Sequence, residues 1–147
     1  MNWNEDIVRI ARAHLPQGAE LAAESGTGKP PVLAADLDGD GRQEIAAVYR
    51  AGREHVLMIL KMTPFGWNVA AIGRGPGFGV DAFFVAPVMD RFPGNLVVGW
   101  TIGAAWSKLS VYEWTARGLV DAAPADLAYS MLEVGDFPGN PEYRGRA

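Results

Sequence analysis

The stretch "VLAADLDGDGRQEIAAVY" (32–49) has an acidic turn between two short apolar runs. Three aspartates, Asp36, Asp38 and Asp40, alternate with other residues, and Glu44 follows them closely. Apolar runs of this length, rich in alanine, valine and isoleucine, predict strands rather than helices. Four carboxylates in one tight turn repel each other unless a counter-charge cancels them. The stretch therefore predicts a hairpin whose turn holds a cation.

The spacing of the acids is that of an oxygen-lined calcium loop. Gly41 stands at position 6, where such a loop turns sharply and a Cβ is resisted. Hard oxygen ligands suit Ca²⁺ far better than zinc or copper. The predicted ligands are the carboxylates of Asp36, Asp38, Asp40 and Glu44 and the main-chain oxygen of Arg42. Position 12 is Ala47 where an EF-hand has a bidentate glutamate, so we expect modest affinity; the alternative is a bare acidic turn, since Asp-Gly pairs favour turns by themselves.

Composition predicts a single domain over 1–147. Apolar residues make up 49% of the 147 residues and charged residues 20%, which is enough for a core. The absence of cysteine excludes disulfides and thiolate zinc sites, and the two distant histidines disfavour a histidine-based site. A net charge of −4 without any Lys/Arg run argues against nucleic acid as a partner.

The N-terminal residues 4–15 predict an amphipathic α-helix that Pro16 ends. Acids occur early in this segment, so it does not resemble a secretory leader, and no run reaches the length of a membrane span. These features predict a cytoplasmic location by default. The segment "ESGTGKPP" (24–31) lacks the spacing of a phosphate loop and is interpreted as a flexible linker.

The rest of the chain predicts a mainly β fold. Short β-rich runs alternate with Gly/Pro/Asp turns, as in antiparallel hairpins and meanders. Strands are expected at 31–36, 44–50, 55–62, 67–72, 81–87, 95–102, 107–114, 118–122 and 129–134. The aromatic cluster "GWTIGAAWSKLSVYEW" (99–114) is consistent either with core packing or with an exposed platform for a sugar or a peptide.

An internal repeat organises these strands. Asp38 aligns with Asp90, Met62 with Trp114 and Gly66 with Gly118, each pair 52 positions apart. The repeat predicts a first unit with the calcium loop at 31–79, a degenerate second unit at 80–128 and a partial third unit at 129–147. Each full unit holds four strands in meander order, which is the pattern of a propeller blade.

The later units keep the turn but not its acids. "MDRFPGN" (89–95) and "GDFPGN" (135–140) retain only Asp90 and Asp136, and their Pro-Gly pairs can form a turn without an ion, so no metal is assigned there. About two and a half units are fewer than the roughly 4–8 blades of a closed propeller. The chain is then a piece of a longer repeat protein, an open sheet assembly, or a homo-oligomer that closes through free strand edges.

The stretch from Val32 to Tyr49 resembles the FG-GAP/VCBS repeats of integrin-like β-propellers. Their hallmark is Asp-x-Asp-x-Asp-Gly-x-x-Asp/Glu between two strands, which Asp36 to Glu44 match. The resemblance implies a Ca²⁺ ion that steadies a blade, a protein or glycan ligand, and an extracellular or cell-surface location. The last implication conflicts with the absence of a recognisable leader.

These features favour a non-catalytic calcium-binding β-repeat module for binding or assembly. No nucleophile, base and acid are suggested by spacing, so we expect no enzyme activity. Two alternatives stay open: a scaffold part of a carbohydrate-active hydrolase, which needs a carboxylate pair in a tryptophan-lined cleft, and an intracellular subunit completed by self-association.

Overall fold

The fold is mainly β, as expected. The computed structural model describes residues 3–25, 27–86, 95–103, 106–115, 118–122 and 128–129. Within these residues it contains one helix and ten strands: α1 (Trp3–Ala13), β1 (Glu20–Leu21), β2 (Val32–Ala35), β3 (Glu44–Ala51), β4 (Glu54–Thr63), β5 (Gly66–Arg74), β6 (Gly79–Ala86), β7 (Asn95–Thr101), β8 (Ser107–Thr115), β9 (Gly118–Asp121) and β10 (Ala128–Tyr129). The eight predicted strands between 31 and 122 are all found.

Two local predictions need correction or fall outside the description, and one short strand is new. The helix ends at Ala13 rather than at 15, because the amides of His14 and Leu15 bond back only three residues and so close the last turn. The two-residue strand β1 was not predicted. Of the partial third unit at 129–147, the structure describes only Tyr129.

The first sheet is an antiparallel meander in the order β2-β3-β4-β5. Strand β1 pairs with the far end of the same edge of β3, where Leu21 lies opposite Tyr49. Strand β3 is therefore central, and its residues from Glu44 to Tyr49 are buried on both faces. A strand that is covered on both faces needs apolar side chains at successive positions, as β3 has after Glu44.

The second sheet repeats this order as β6-β7-β8-β9, with β10 beside β9 on the edge of β8. The hairpins after β4 and β8 are also alike. In each, a threonine hydroxyl donates to the carbonyl of a glycine at the start of the next strand, from Thr63 to Gly66 at 2.9 Å and from Thr115 to Gly118 at 3.1 Å. Both glycines have positive φ, 111° and 103°, which disfavours any other residue. The repeat spacing of the sequence thus corresponds to two hairpins of the same construction.

The two sheets pack face to face around one core, and α1 covers the outer face of the first sheet. Leu57 and Ile59 of β4 face the second sheet, where they join Val98 and Trp100 of β7. On the opposite face, Ile7 and Ala11 of α1 pack on Ile45, Ala47, Met58 and Leu60. The molecule therefore has three layers: helix, sheet and sheet. Within the described residues the two sheets do not close into a propeller.

The segment after β1 joins the two sheets, which corrects the prediction of a flexible linker at 24–31. The amide of Ala22 donates to Val48 in the first sheet, and the amide of Ser25 donates to Val80 in the second, at 3.0 and 2.8 Å. The amide of Glu24 also donates to the carbonyl of Lys29 at 2.8 Å, which closes the segment into a turn. Its backbone hydrogen bonds therefore tie it to both sheets. No helix among the described residues is long and apolar enough to cross a bilayer.

The backbone at Gly75 comes close to the core between the sheets. A Cβ at this position would lie 2.4 Å from the ring of the fully buried Trp100. We predict that Gly75→Ala lowers the free energy of unfolding by about 1–3 kcal/mol, the cost of overpacking. In the matched control Gly73→Ala the new Cβ meets only an ordinary contact with Tyr112 at 4.0 Å. Urea denaturation checks the pair, and equal midpoints would contradict this packing.

His55 gives the stability a pH dependence. Its side chain is 6% exposed, and its Nδ1 atom has no hydrogen-bond partner among the described residues. Burial, followed by the charge of Arg50, lowers the pKa of His55. The unfolded chain therefore binds the proton first, and stability is lost as the pH falls below about 6.5, the ordinary histidine value. We predict that His55→Gln flattens the fall in stability between pH 7 and pH 5, measured by thermal unfolding; parallel curves for variant and wild type would contradict this.

Candidate metal centre

The acidic turn joins β2 to β3 and is held at both ends. The register brings Ala35 opposite Glu44, which closes the hairpin. Leu37, the second residue of the turn, is buried in the core between the two sheets. The turn therefore has an apolar anchor on one side and a strand pair on the other, so its carboxylates have little freedom to move apart.

Backbone amides orient the aspartates. Asp36 accepts from the amides of Gly39 and Gly41, one on each carboxylate oxygen, at 2.8 and 2.9 Å. Both glycines have positive φ, 80° and 85°, which lets the chain wrap around the carboxylate. Asp38 in turn accepts from the amide of Asp40 at 3.1 Å. These bonds explain why the sequence alternates aspartate with glycine here, because each side chain folds back on a nearby amide.

The turn brings four of the five sequence-predicted ligands together. One carboxylate oxygen from each of Asp36, Asp38, Asp40 and Glu44 lies within 4.8 Å of the corresponding oxygens of the others. For Arg42, the amide donates to Asp40 at 2.8 Å, and the role of its main-chain oxygen as a ligand stays a prediction. The site is therefore defined by carboxylates from a single hairpin.

Glu44 is the most unusual member. It is 0% exposed, and its Oε1 atom accepts from the amides of Leu37 and Asp38 at 2.6 and 3.3 Å. Its Oε2 atom is buried and has no hydrogen-bond partner among the described residues. Burial, with the nearby charges of Asp38 and Asp40 adding to it, raises the pKa of Glu44 to about 7 despite the amide bonds. A buried carboxylate oxygen without a partner is costly, and a proton or a cation can offset that cost.

Lys61 reaches the site from β4 and was not among the predicted site residues. Its ammonium pairs with Asp38 Oδ2 and lies 3.4 Å from Asp40 Oδ2. Burial alone would raise the pKa of Asp38, but the bond from Lys61 and those from Asp40 outweigh it and hold the pKa below its ordinary value. The hydrogen bond to Asp38 in turn raises the pKa of Lys61. The signal that could have identified it is the charge that follows the apolar run 56–60 of β4.

The second unit has a different residue where Glu44 stands. Asn95 opens β7 as Glu44 opens β3, and it is also buried. Its side-chain amide donates to the carbonyl of Tyr112 at 3.2 Å, so the neutral group is satisfied without an ion. The turns containing Asp90 and Asp136 lie outside the described residues.

The predicted aromatic cluster divides between core and surface. Trp100 is fully buried and donates from its indole nitrogen to Ser110 at 3.0 Å, and Tyr112 is buried beside it. Trp114 is partly buried against the same core. Trp106 is 56% exposed and is the only one of the four that offers a platform.

Comparison with protein-family models, with curated proteins and with solved structures found no match to this chain.

The buried charge of Glu44 predicts a stabilising substitution. In EDTA at pH 8, above the raised pKa of about 7, Glu44→Gln is expected to raise the free energy of unfolding by about 1–2 kcal/mol. It removes a desolvated charge that has an unpartnered oxygen and acidic neighbours. The matched control Glu54→Gln alters an exposed glutamate at the start of β4 and leaves stability within about 0.5 kcal/mol. A loss of stability in Glu44→Gln under these conditions would contradict the assignment.

Proposed function

We propose that this chain is a non-catalytic β-repeat module whose first hairpin is stabilised by one Ca²⁺ ion. The observation that carries the proposal is the convergence of four carboxylates, one of them buried with an unpartnered oxygen. The supposed ligands are all hard oxygen donors, the class that calcium prefers. A softer metal such as zinc selects nitrogen or sulfur ligands, and the turn offers none.

The proposed ion acts as a staple. It neutralises the acidic turn between Asp36 and Glu44 and so fixes the register in which β2 pairs with β3. Strand β3 is central in the first sheet and is buried on both faces. That register therefore determines which side chains point into the core on each face. Calcium in this proposal has a structural role, and the module binds its partner through another part of its surface.

The arrangement of the sheets supports relatedness to propeller blades of the FG-GAP/VCBS kind. Contacts join β2 to β6 and β5 to β9, so the two meanders lie over each other in the same strand order. Adjacent blades of a propeller stack in this way, with equivalent strands facing each other. Helix α1 would then close the outer face of the first blade.

A protein or glycan is the proposed partner class, and the exposed aromatic surface supports it. Phe78, Ile102 and Trp106 are 61%, 42% and 56% exposed. The amide of Phe78 donates to the carbonyl of Thr101, and the amide of Ile102 donates to that of Trp106. The three exposed residues therefore lie on neighbouring backbone segments. Aromatic side chains are enriched where proteins bind other proteins, and the indole of Trp106 adds a hydrogen-bond donor to the apolar surface of Phe78 and Ile102.

Calcium is expected to stabilise the protein. At a concentration one hundred times its Kd it should raise the free energy of unfolding by about 2.7 kcal/mol, which corresponds to roughly 5–10 °C in Tm for a domain of this size. The double variant Asp38→Asn/Asp40→Asn should lose this response, because two of the ligands lose their charge.

The control for this experiment is the double variant Asp6→Asn/Glu54→Gln. It changes the net charge equally but alters an acid on α1 and one at the start of β4, outside the acidic turn. Its calcium response should match that of the wild type. Identical melting curves of the wild type in EDTA and in calcium would contradict the proposal.

A further inference from the structure

The acidic turn already contains a cation that belongs to the protein. Lys61 lies on the face of β4 that looks toward the second sheet, and its ammonium contacts the carboxylates of Asp38 and Asp40. The side chain of Asp38 is only 6% exposed, whereas that of Lys61 is 35% exposed. A charge-assisted contact to a largely desolvated carboxylate is stronger than an ordinary surface ion pair. Lys61 therefore occupies carboxylate oxygens that a calcium ion needs.

The second unit supports a specific match between this lysine and the acidic turn. The repeat spacing of 52 places Glu113 at the position of Lys61. The segment 87–94 of the second unit contains one acid, Asp90, and also Arg91. Where the acids of the turn are lost, the strand position thus has the opposite charge. A lysine kept only for solubility would not be expected to vary with the charge of the neighbouring turn.

The ammonium of Lys61 also lies near an aromatic ring that can report its movement. The ammonium of Lys61 lies 5.9 Å from the centre of the Trp114 ring, which is on the facing strand β8 of the second sheet. Cations interact favourably with the face of an indole ring at about this distance. The flexible stem of lysine can carry the ammonium away from both the carboxylates and the ring into solvent, to which its side chain is already 35% exposed.

We propose that Lys61 is a built-in counter-ion that closes the acidic turn in the absence of metal and is displaced by Ca²⁺, so that it sets the calcium concentration at which the site fills. The inference rests on the proposed calcium site. Two cations that share the same carboxylates repel each other. Calcium must therefore break the lysine contact, and the free energy of that contact is subtracted from the free energy of calcium binding. The hairpin is thereby held together before the ion arrives.

The test compares Lys61→Met with the wild type by isothermal titration with CaCl₂. We expect Lys61→Met to bind calcium about tenfold more tightly, equivalent to about 1.4 kcal/mol, and to have a lower Tm in EDTA. The matched control is Lys108→Met, which removes a lysine charge from the face of the second sheet that looks toward the first, where Lys108 lies 3.9 Å from Asp121. It should bind calcium like the wild type. Lys61→Arg keeps the competing charge and should stay within about threefold of the wild-type Kd.

The outcomes separate the two proposals. Equal calcium affinities of Lys61→Met and the wild type would overturn the lysine inference and leave the calcium site standing. If neither the wild type nor any variant binds calcium, both the proposed calcium site and the lysine inference are wrong. If the Kd falls equally in Lys61→Met and in Lys108→Met, the change in net charge explains the effect and the inference is overturned.

Tryptophan emission provides a second readout that does not depend on the stability of a lysine variant. Calcium is titrated into the wild type and into Trp114→Phe, and the difference isolates the emission of Trp114. If calcium displaces the ammonium, the emission of Trp114 should change over the calcium range that the calorimetric Kd defines. An emission of Trp114 that stays constant while calcium binds would overturn the displacement.

Discussion

The negative charge of the turn between β2 and β3 is the constraint on which the rest of the fold depends. Glu44 is buried at the first position of the central strand, where its carboxylate loses hydration and lies near Asp38 and Asp40. Placing these groups together costs free energy that backbone amides offset only in part, because one oxygen of Glu44 has no partner among the described residues. Lys61 offsets part of this cost through its contacts with Asp38 and Asp40.

This constraint matters beyond the turn because β3 links all three layers. Its side chains alternate between the core shared with α1 and the core shared with the second sheet. A one-residue slip of β2 against β3 would exchange the two sets of side chains. Leu37, directly beside the acids, is itself part of the inter-sheet core. The electrostatics of the turn and the packing of the core are therefore coupled through a few adjacent residues.

Much of this architecture follows from local sequence patterns. The alternation of apolar runs with Gly and Asp turns predicted the strands from β2 to β9, and the repeated glycines predicted the matching hairpins at Gly66 and Gly118. The clustering of the four acids was predictable because acidic side chains in the turn bond to amides of the same turn, so short-range spacing determines their geometry.

Features that depend on contacts distant in sequence were not predictable. Lys61 reaches Asp38 across 23 positions, and only the pairing of β3 with β4 brings them together. Strand β1 has two residues, and its pairing with β3 leaves no periodic signal in the sequence. The segment after it was interpreted as a linker for the same reason, since its hydrogen bonds go to strands that follow much later.

A crystal structure grown with calcium would show whether the acidic turn binds the ion. We expect a single ion in the turn at about 2.3–2.6 Å from oxygens of Asp36, Asp38, Asp40 and Glu44, with the ammonium of Lys61 withdrawn from the carboxylates. A turn that keeps the lysine contact and contains no ion at saturating calcium would contradict this expectation.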